Sequence, residues 1–269
     1  MTGGTGTTPS TRRIFDAHLH IIDLRFPLHA NDGFLPDPFT TRDYLARTAA
    51  LGIVGGAVVS GSFQGFDQDY LLAAIGELGP GFVGVTQVTA SVTDAEVYRL
   101  AAAGVRAVRF NLRRGGSETA EHLERLARRV HALAGWHAEL YLDARDLPEL
   151  VGLLLTLPAV SIDHLGLSAA GLPHLLRLVE RGAHVKATGF GRVDFDVPEA
   201  LRALMRVNPK ALMFGTDLPS TRAPRPFLDH DIDLITQTLG TDDAAAVLFE
   251  NAWQLYHPNA EAGPQPASA

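Results

Sequence analysis

His18 and His20 close the segment Ile14-Phe15-Asp16-Ala17-His18-Leu19-His20. On a strand every second side chain shares a face, so Asp16, His18 and His20 should point the same way, with the imidazoles about 7 Å apart at Cα. Two imidazoles at that spacing can share one metal ion or donate hydrogen bonds to one substrate group. Asp217 lies near the far end of the chain, in Phe214-Gly215-Thr216-Asp217-Leu218-Pro219. Its carboxylate suits a general base or a metal ligand. His164, in Ile162-Asp163-His164-Leu165-Gly166, is a third imidazole for the same centre.

A second group of residues suits anions. Arg109 and Asn111 share a face in Val108-Arg109-Phe110-Asn111, Arg113 and Arg114 follow at once, and Arg192 comes after Gly189-Phe190-Gly191. Guanidinium forks match carboxylates bidentately, so arginines aimed at one mouth of an acidic protein point to a small anionic ligand. Lys186 faces inward by alternation and could bind substrate or pair with a carboxylate. His122, His131, His137, His174, His184, His230 and His257 fall on helices or strand starts and read as surface or packing residues.

These side chains need a scaffold that returns them to one place. Period-2 apolar runs predict strands over 14–20, 53–60, 82–88, 105–110, 138–143, 159–163, 183–188 and 211–216. Helices are predicted between them, over 41–51, 67–78, 93–104, 119–133, 146–156, 173–181 and 198–207, and after them over 228–239 and 242–256. Thr93 with Glu96 forms a capping-box pattern, and Pro148 suits a first helical turn. Strands alternating with helices argue for parallel pairing with helical crossovers, and eight such units predict one closed (β/α)8 TIM barrel. In that fold the reacting groups sit at the C-terminal ends of strands. His18, His20, Ser62, Arg109, Asn111, Tyr141, Asp143, His164, Lys186, Arg192 and Asp217 fall at or near such ends. The long loop over 21–39 is of a length that is often functional.

Composition narrows the field. The 269 residues are 46% hydrophobic with net charge −7, and no basic run stands out, so nucleic acid and anionic membranes are poor partners. No apolar run reaches the roughly 20 residues of a membrane span. With no cysteine, disulfides, thiolate metal sites and a cysteine nucleophile are excluded, and a reducing cytoplasm suits the chain. Residues 1–11 read as a disordered leader without a signal peptide's apolar core, 12–257 as the barrel, and 258–269 as a disordered tail. The sequence leaves open whether the chain forms a homo-oligomer.

Together, Phe15-Asp16-Ala17-His18-Leu19-His20, Val108-Arg109-Phe110-Asn111, Ile162-Asp163-His164-Leu165-Gly166 and Phe214-Gly215-Thr216-Asp217-Leu218-Pro219 resemble the amidohydrolase superfamily. The likeness is to the amidohydrolase 2 type, in the branch of 2-pyrone-4,6-dicarboxylate and sugar lactonases, and runs from about residue 14 to 256. It implies a distorted barrel and hydrolysis at a carbonyl carbon. Asp217 would activate water. His18, His20 and His164 would polarise the carbonyl. Ser62, Arg109, Tyr141 and Arg192 would hold the substrate, with Arg113 or Arg114 as a further loop arginine. That branch works without metal, which is the favoured expectation here. Metal-dependent members add a strand-five histidine or a bridging lysine. Strand five offers Tyr141 and Asp143 instead, and Lys186 is on strand seven, so a binuclear centre is not expected. A single Zn or Mn on His18, His20, His164 and Asp217 is the alternative, in a metal-dependent amidohydrolase or decarboxylase. A third alternative is a barrel that binds small acids without catalysis; retention of His18, His20, His164 and Asp217 argues against it. Leu218 replaces a tryptophan common in the branch, and Ser220 stands near a usual His or Asn. The first loop and residues 220–226 therefore shape a pocket of their own. The expected activity is hydrolysis of a small carboxylated or hydroxylated lactone.

Overall fold

Short apolar strands separated by one-sided helices can bury both sheet faces only if the strands pair in parallel and the helices cover the outside. The computed structural model, which describes residues 12–258, has this arrangement. Strand β1 (Ile14–Leu19) is followed by α1 (Thr41–Thr48), β2 (Ile53–Val59), α2 (Asp69–Leu78), β3 (Phe82–Thr86) and α3 (Asp94–Ala102). Then come β4 (Val105–Asn111), α4 (Leu123–Ala134), β5 (His137–Tyr141), α5 (Leu147–Leu154), β6 (Val160–Ile162) and α6 (Leu172–Glu180). The circuit ends with β7 (His184–Ala187), α7 (Val197–Val207), β8 (Leu212–Phe214) and α8 (His230–Leu239), then α9 (Thr241–Ala245) and α10 (Asn251–Tyr256). The eight strands pair in parallel in sequence order. The predicted leader, and the tail beyond Pro258, lie outside the described residues.

The helices start where the sequence allows a cap. Thr40 and Asp43 form a reciprocal capping box ahead of α1, and Thr93 and Asp196 cap α3 and α7. The single helix predicted over 242–256 is interrupted: a π-helical turn, Ala246–Glu250, separates α9 from α10. Several strands are shorter than their apolar runs, because the ladder stops where the chain turns into the site. β6 is only Val160–Ile162, and β8 only Leu212–Phe214.

Apolar packing divides in two. Ile14, Leu19, Val58, Val108, Phe110 and Leu140 face the helix layer. Phe15, Ala17, Val59, Val83, Val85 and Met213 fill the lower barrel, with Phe249 and Tyr256 beneath them. Phe15 stacks on Tyr256 with ring centroids 5.5 Å apart. Burying each such ring contributes on the order of 2–3 kcal/mol. This plug closes the lower end and leaves the upper end for polar groups.

One prediction for β1 fails. Its register with β2 shifts between Asp16 and Leu19, so the alternation slips. Asp16 therefore does not share the face of His18 and His20. It reaches the helix side, where its carboxylate accepts hydrogen bonds from Tyr44 at 3.0 Å and from the Thr216 amide and hydroxyl at 2.8 and 2.6 Å. Among the described residues no ladder pairs β1 with β8. The join is made by Asp16 and by two backbone bonds, Asp217 N to His18 O at 2.7 Å and His20 N to Leu218 O at 2.8 Å. A carbon added at Gly215 would sit 2.7 Å from the His18 nitrogen, so glycine is what lets the two segments approach.

Candidate active site

At the C-terminal ends of the strands a narrow cleft is lined by His20, Ser62, Arg109, Asn111, Tyr141, His164, Arg192 and Asp217, all expected from the sequence. His18 lies beneath it, fully buried. The geometry centres on Asp217 Oδ1, which is buried and has no hydrogen-bond partner. Three imidazole Nε2 atoms surround it: His20 at 3.9 Å, and His18 and His164 at 4.0 Å each. His18 Nε2 is likewise buried without a partner. The other carboxylate oxygen, Oδ2, accepts from Arg192 Nε at 2.7 Å. Asp217 and His164 both hold a left-handed backbone, φ 60° and 51°, a conformation that costs energy in a non-glycine residue and is often found at functional sites.

Burial sets the protonation states. It pushes the Asp217 carboxyl up to about 6, against the pull of Arg192. It pushes His18 down to about 3, with Asp163 opposing, and takes His20 and His164 well below the usual imidazole value. All three rings are therefore neutral near pH 7, and each has one donor and one acceptor nitrogen. His20 Nδ1 lies 2.7 Å from the Val59 carbonyl, which can only accept, so Nε2 presents a lone pair. His18 Nδ1 lies 3.3 Å from Lys186 Nζ, which can only donate, so its proton is on Nε2. Asp163 Oδ1, equally close to that Nδ1 at 3.3 Å, pulls the other way, toward a proton on Nδ1; its poorer alignment favours the Lys186 pairing. His164 Nδ1 pairs with the Thr188 hydroxyl at 2.8 Å.

Two expected residues lie elsewhere. Lys186 is inward-facing but a layer too deep: it is fully buried and absent from the cleft lining, with Nζ 2.5 Å from Glu139 Oε2. Arg113 turns outward and stays partly exposed, 3.8 Å from Asp143. After the β4 loop turns, it is Arg114 that lines the cleft. Asp143 is held by Arg145 at 2.8 Å, away from the cleft.

Several neighbours were not singled out. Glu139 on β5 and Asp163 after β6 are fully buried beneath the cleft, and Asp163 bonds Arg109 at 2.8 Å. Burial raises Glu139 even against Lys186. It also works to raise Asp163, but His18, Arg109 and Lys186 outweigh it and hold that acid well below the carboxylate range. Alternation from Tyr141 would have turned Glu139 inward. Phe34, Thr221 and Arg222 also line the cleft, from loops that carry no periodic signal.

The donor atoms bear on metal binding. His18, His20 and Asp217 offer ligand atoms within 4.8 Å of one another, as do His18, Asp163 and His164. His20, with Nδ1 bound to a carbonyl and Nε2 free, has the tautomer of a metal ligand. These buried groups could bind one divalent ion.

Comparison with known proteins agrees with the fold and the motifs. Residues 15–257 match the amidohydrolase family model. The chain is 34% identical over 274 residues to 2-pyrone-4,6-dicarboxylate hydrolase of Comamonas testosteroni, covering 90% of each chain. It is 27% identical to D-galactarolactone isomerase of Agrobacterium fabrum, covering 94% of each. A crystal structure from Pseudomonas putida, described as a 2-pyrone-4,6-dicarboxylic acid hydrolase, superimposes with a TM-score of 0.77 at 26% identity, over 92% of this chain and 98% of that one.

Proposed function

The chain belongs to the amidohydrolase family, and from that premise we propose that it hydrolyses the ring ester of a small acid lactone, with Asp217 as general base. The observation that carries this is the unpartnered Asp217 oxygen ringed by three neutral imidazoles at 3.9–4.0 Å. A water in that space can give its proton to Oδ1 while its other hydrogen bonds the His20 lone pair. Its oxygen then attacks the lactone carbonyl. His18, with its proton on Nε2, donates to the oxygen that gains charge. A donor placed for that oxygen typically lowers a barrier by about 3 kcal/mol. Asp217 finally returns the proton to the leaving alkoxide. His20 is thus an acceptor for the water, not the carbonyl polariser expected from the motif.

Members of this superfamily often use a divalent metal. A single ion here would be held by His18, His20 and Asp217, with His164 nearby, and would supply Lewis-acid polarisation. We favour a reaction without it. Each carboxylate at or beneath the cleft already has a cation: Asp163 has Arg109 at 2.8 Å, Glu139 has Lys186 at 2.5 Å and Asp217 has Arg192 at 2.7 Å. Two further positive charges beside Arg192 would be uncompensated in a dry site. With Lys186 donating to Nδ1, the His18 proton would sit on Nε2, where a metal would need a lone pair. Among the described residues no helix is long and apolar enough to cross a membrane, and the cysteine-free sequence fits the reducing cytoplasm.

The test is ring opening of 2-pyrone-4,6-dicarboxylate, D-galactarolactone and neutral lactones, each with and without chelator. Turnover that survives chelation is expected. Turnover lost to chelator and restored by Zn or Mn would transfer the site to the metal-dependent reading. No ring opening of any lactone would end the proposal.

A further inference from the structure

Two guanidiniums in the cleft have no carboxylate partner. Arg109 and Arg192 are buried and paired, but Arg114 and Arg222, both half-buried at the rim, make no ion pair among the described residues. Arg222 is fixed in place. Its Nη1 donates to Asn31 Oδ1 at 3.0 Å, its Nη2 donates to the Asn31 carbonyl, and its guanidinium lies over the Phe34 ring at 4.2 Å. Its backbone is left-handed, φ 57°. Asn31 ties the same point to two other loops, donating from Nδ2 to the Arg114 carbonyl at 3.0 Å and accepting from Ser62 Oγ at 3.1 Å. Burial and the like charge of Arg114 pull the Arg222 guanidinium below its usual value, with Asp32 opposing but not in an ion pair. Two like charges thus line one cleft, with no ion pair to either among the described residues.

We propose that Arg222 and Arg114, set by Asn31, form a carboxylate-holding rim that makes Arg222 the residue selecting acid lactones over neutral ones. This rests on the lactonase reading of the cleft. The carboxylate bound there is a group other than the carbonyl attacked beside Asp217. Asn31 is a positioning residue, because it touches the guanidinium rather than the ligand.

The experiment compares 2-pyrone-4,6-dicarboxylate with a neutral lactone, D-glucono-1,5-lactone, in wild type and Arg222→Gln. The ratio of kcat/KM for acid over neutral lactone should fall about ten- to hundredfold, mostly through KM, the range for hydrogen bonds to a charged group. Arg222→Lys should recover part of it, since a point charge remains without the fork. Asn31→Ala should move the ratio the same way by less. Arg225→Gln, in the same loop but paired with Asp231 at 3.0 Å, should leave it at the wild-type value. Titration of citrate into the same proteins reads the rim without turnover, and Arg222→Gln should weaken it at least about tenfold. A ratio within twofold of wild type, or citrate bound equally by wild type and Arg222→Gln, overturns the proposal. If no lactone is opened but citrate binding depends on Arg222, the rim stands and the lactonase reading falls.

Discussion

Lys186–Glu139 and Arg192–Asp217 are both acid–base pairs on the inner face of the same barrel, 2.5 and 2.7 Å long. In both, burial raises the acid's pKa against its cation. They differ in what the second oxygen meets. Glu139 Oε1 faces His18 and Arg109 at 3.7 Å, and its Oε2 also accepts from Tyr256 at 3.3 Å, with no solvent exposure. Asp217 Oδ1 faces three neutral rings and the cleft. The lower carboxylate is enclosed by fixed charges, while the upper one has a free oxygen aimed at whatever enters. A buried ion pair is therefore not a functional sign in itself; an unspent lone pair beside it is.

The strongest way to break this contrast is Asp217→Asn. It should lower kcat on a lactone by about 10²–10⁴-fold, the range for a placed general base, with a thermal midpoint near wild type. Asparagine accepts the left-handed φ and keeps a carbonyl for Arg192. Unchanged turnover would make the two acids equivalent. Lys186→Met should do the reverse in kind. It removes the closest cation from buried Glu139, leaving Arg109 at 3.7 Å, and should cost about 3–5 kcal/mol in a denaturant titration, and adding Glu139→Leu should restore most of that stability. A stable Lys186→Met protein would contradict the structural role given to the lower pair. The smallest effect is on pH. Asp217 must be unprotonated to take a proton, and its pKa is raised from 3.8 to about 6. The fall in kcat/KM should therefore come as pH drops through 6, reaching about tenfold below the plateau at pH 5. A profile flat down to pH 4 would put the base elsewhere.

Much of this was legible in the residues. Eight apolar runs alternating with capped helices gave the barrel, and strand ends located the cleft. Alternation gives side-chain direction but not depth. By alternation Lys186 reads as a mouth residue, yet Thr188, one step higher on the same face, is the one that meets His164. Alternation from Tyr141 turns Glu139 inward, but nothing in β5 alone shows that a lysine two strands on is folded against it. Asp16 broke the rule of alternation because a register shift cannot be seen in one strand alone. Asn31 and Arg222 lie 191 positions apart, on loops whose meeting is decided by the closed ring and not by local pattern.

The join between β1 and β8 has a further consequence. His18 and His20 hang from one edge of that seam and Asp217 from the other, and among the described residues the hydrogen bonds that stitch the edges are those of Asp16 and two backbone amides. Such a ring is tightest around most of its circumference and loosest where it works. Gentle warming should part those edges and silence the enzyme while its helices are still intact.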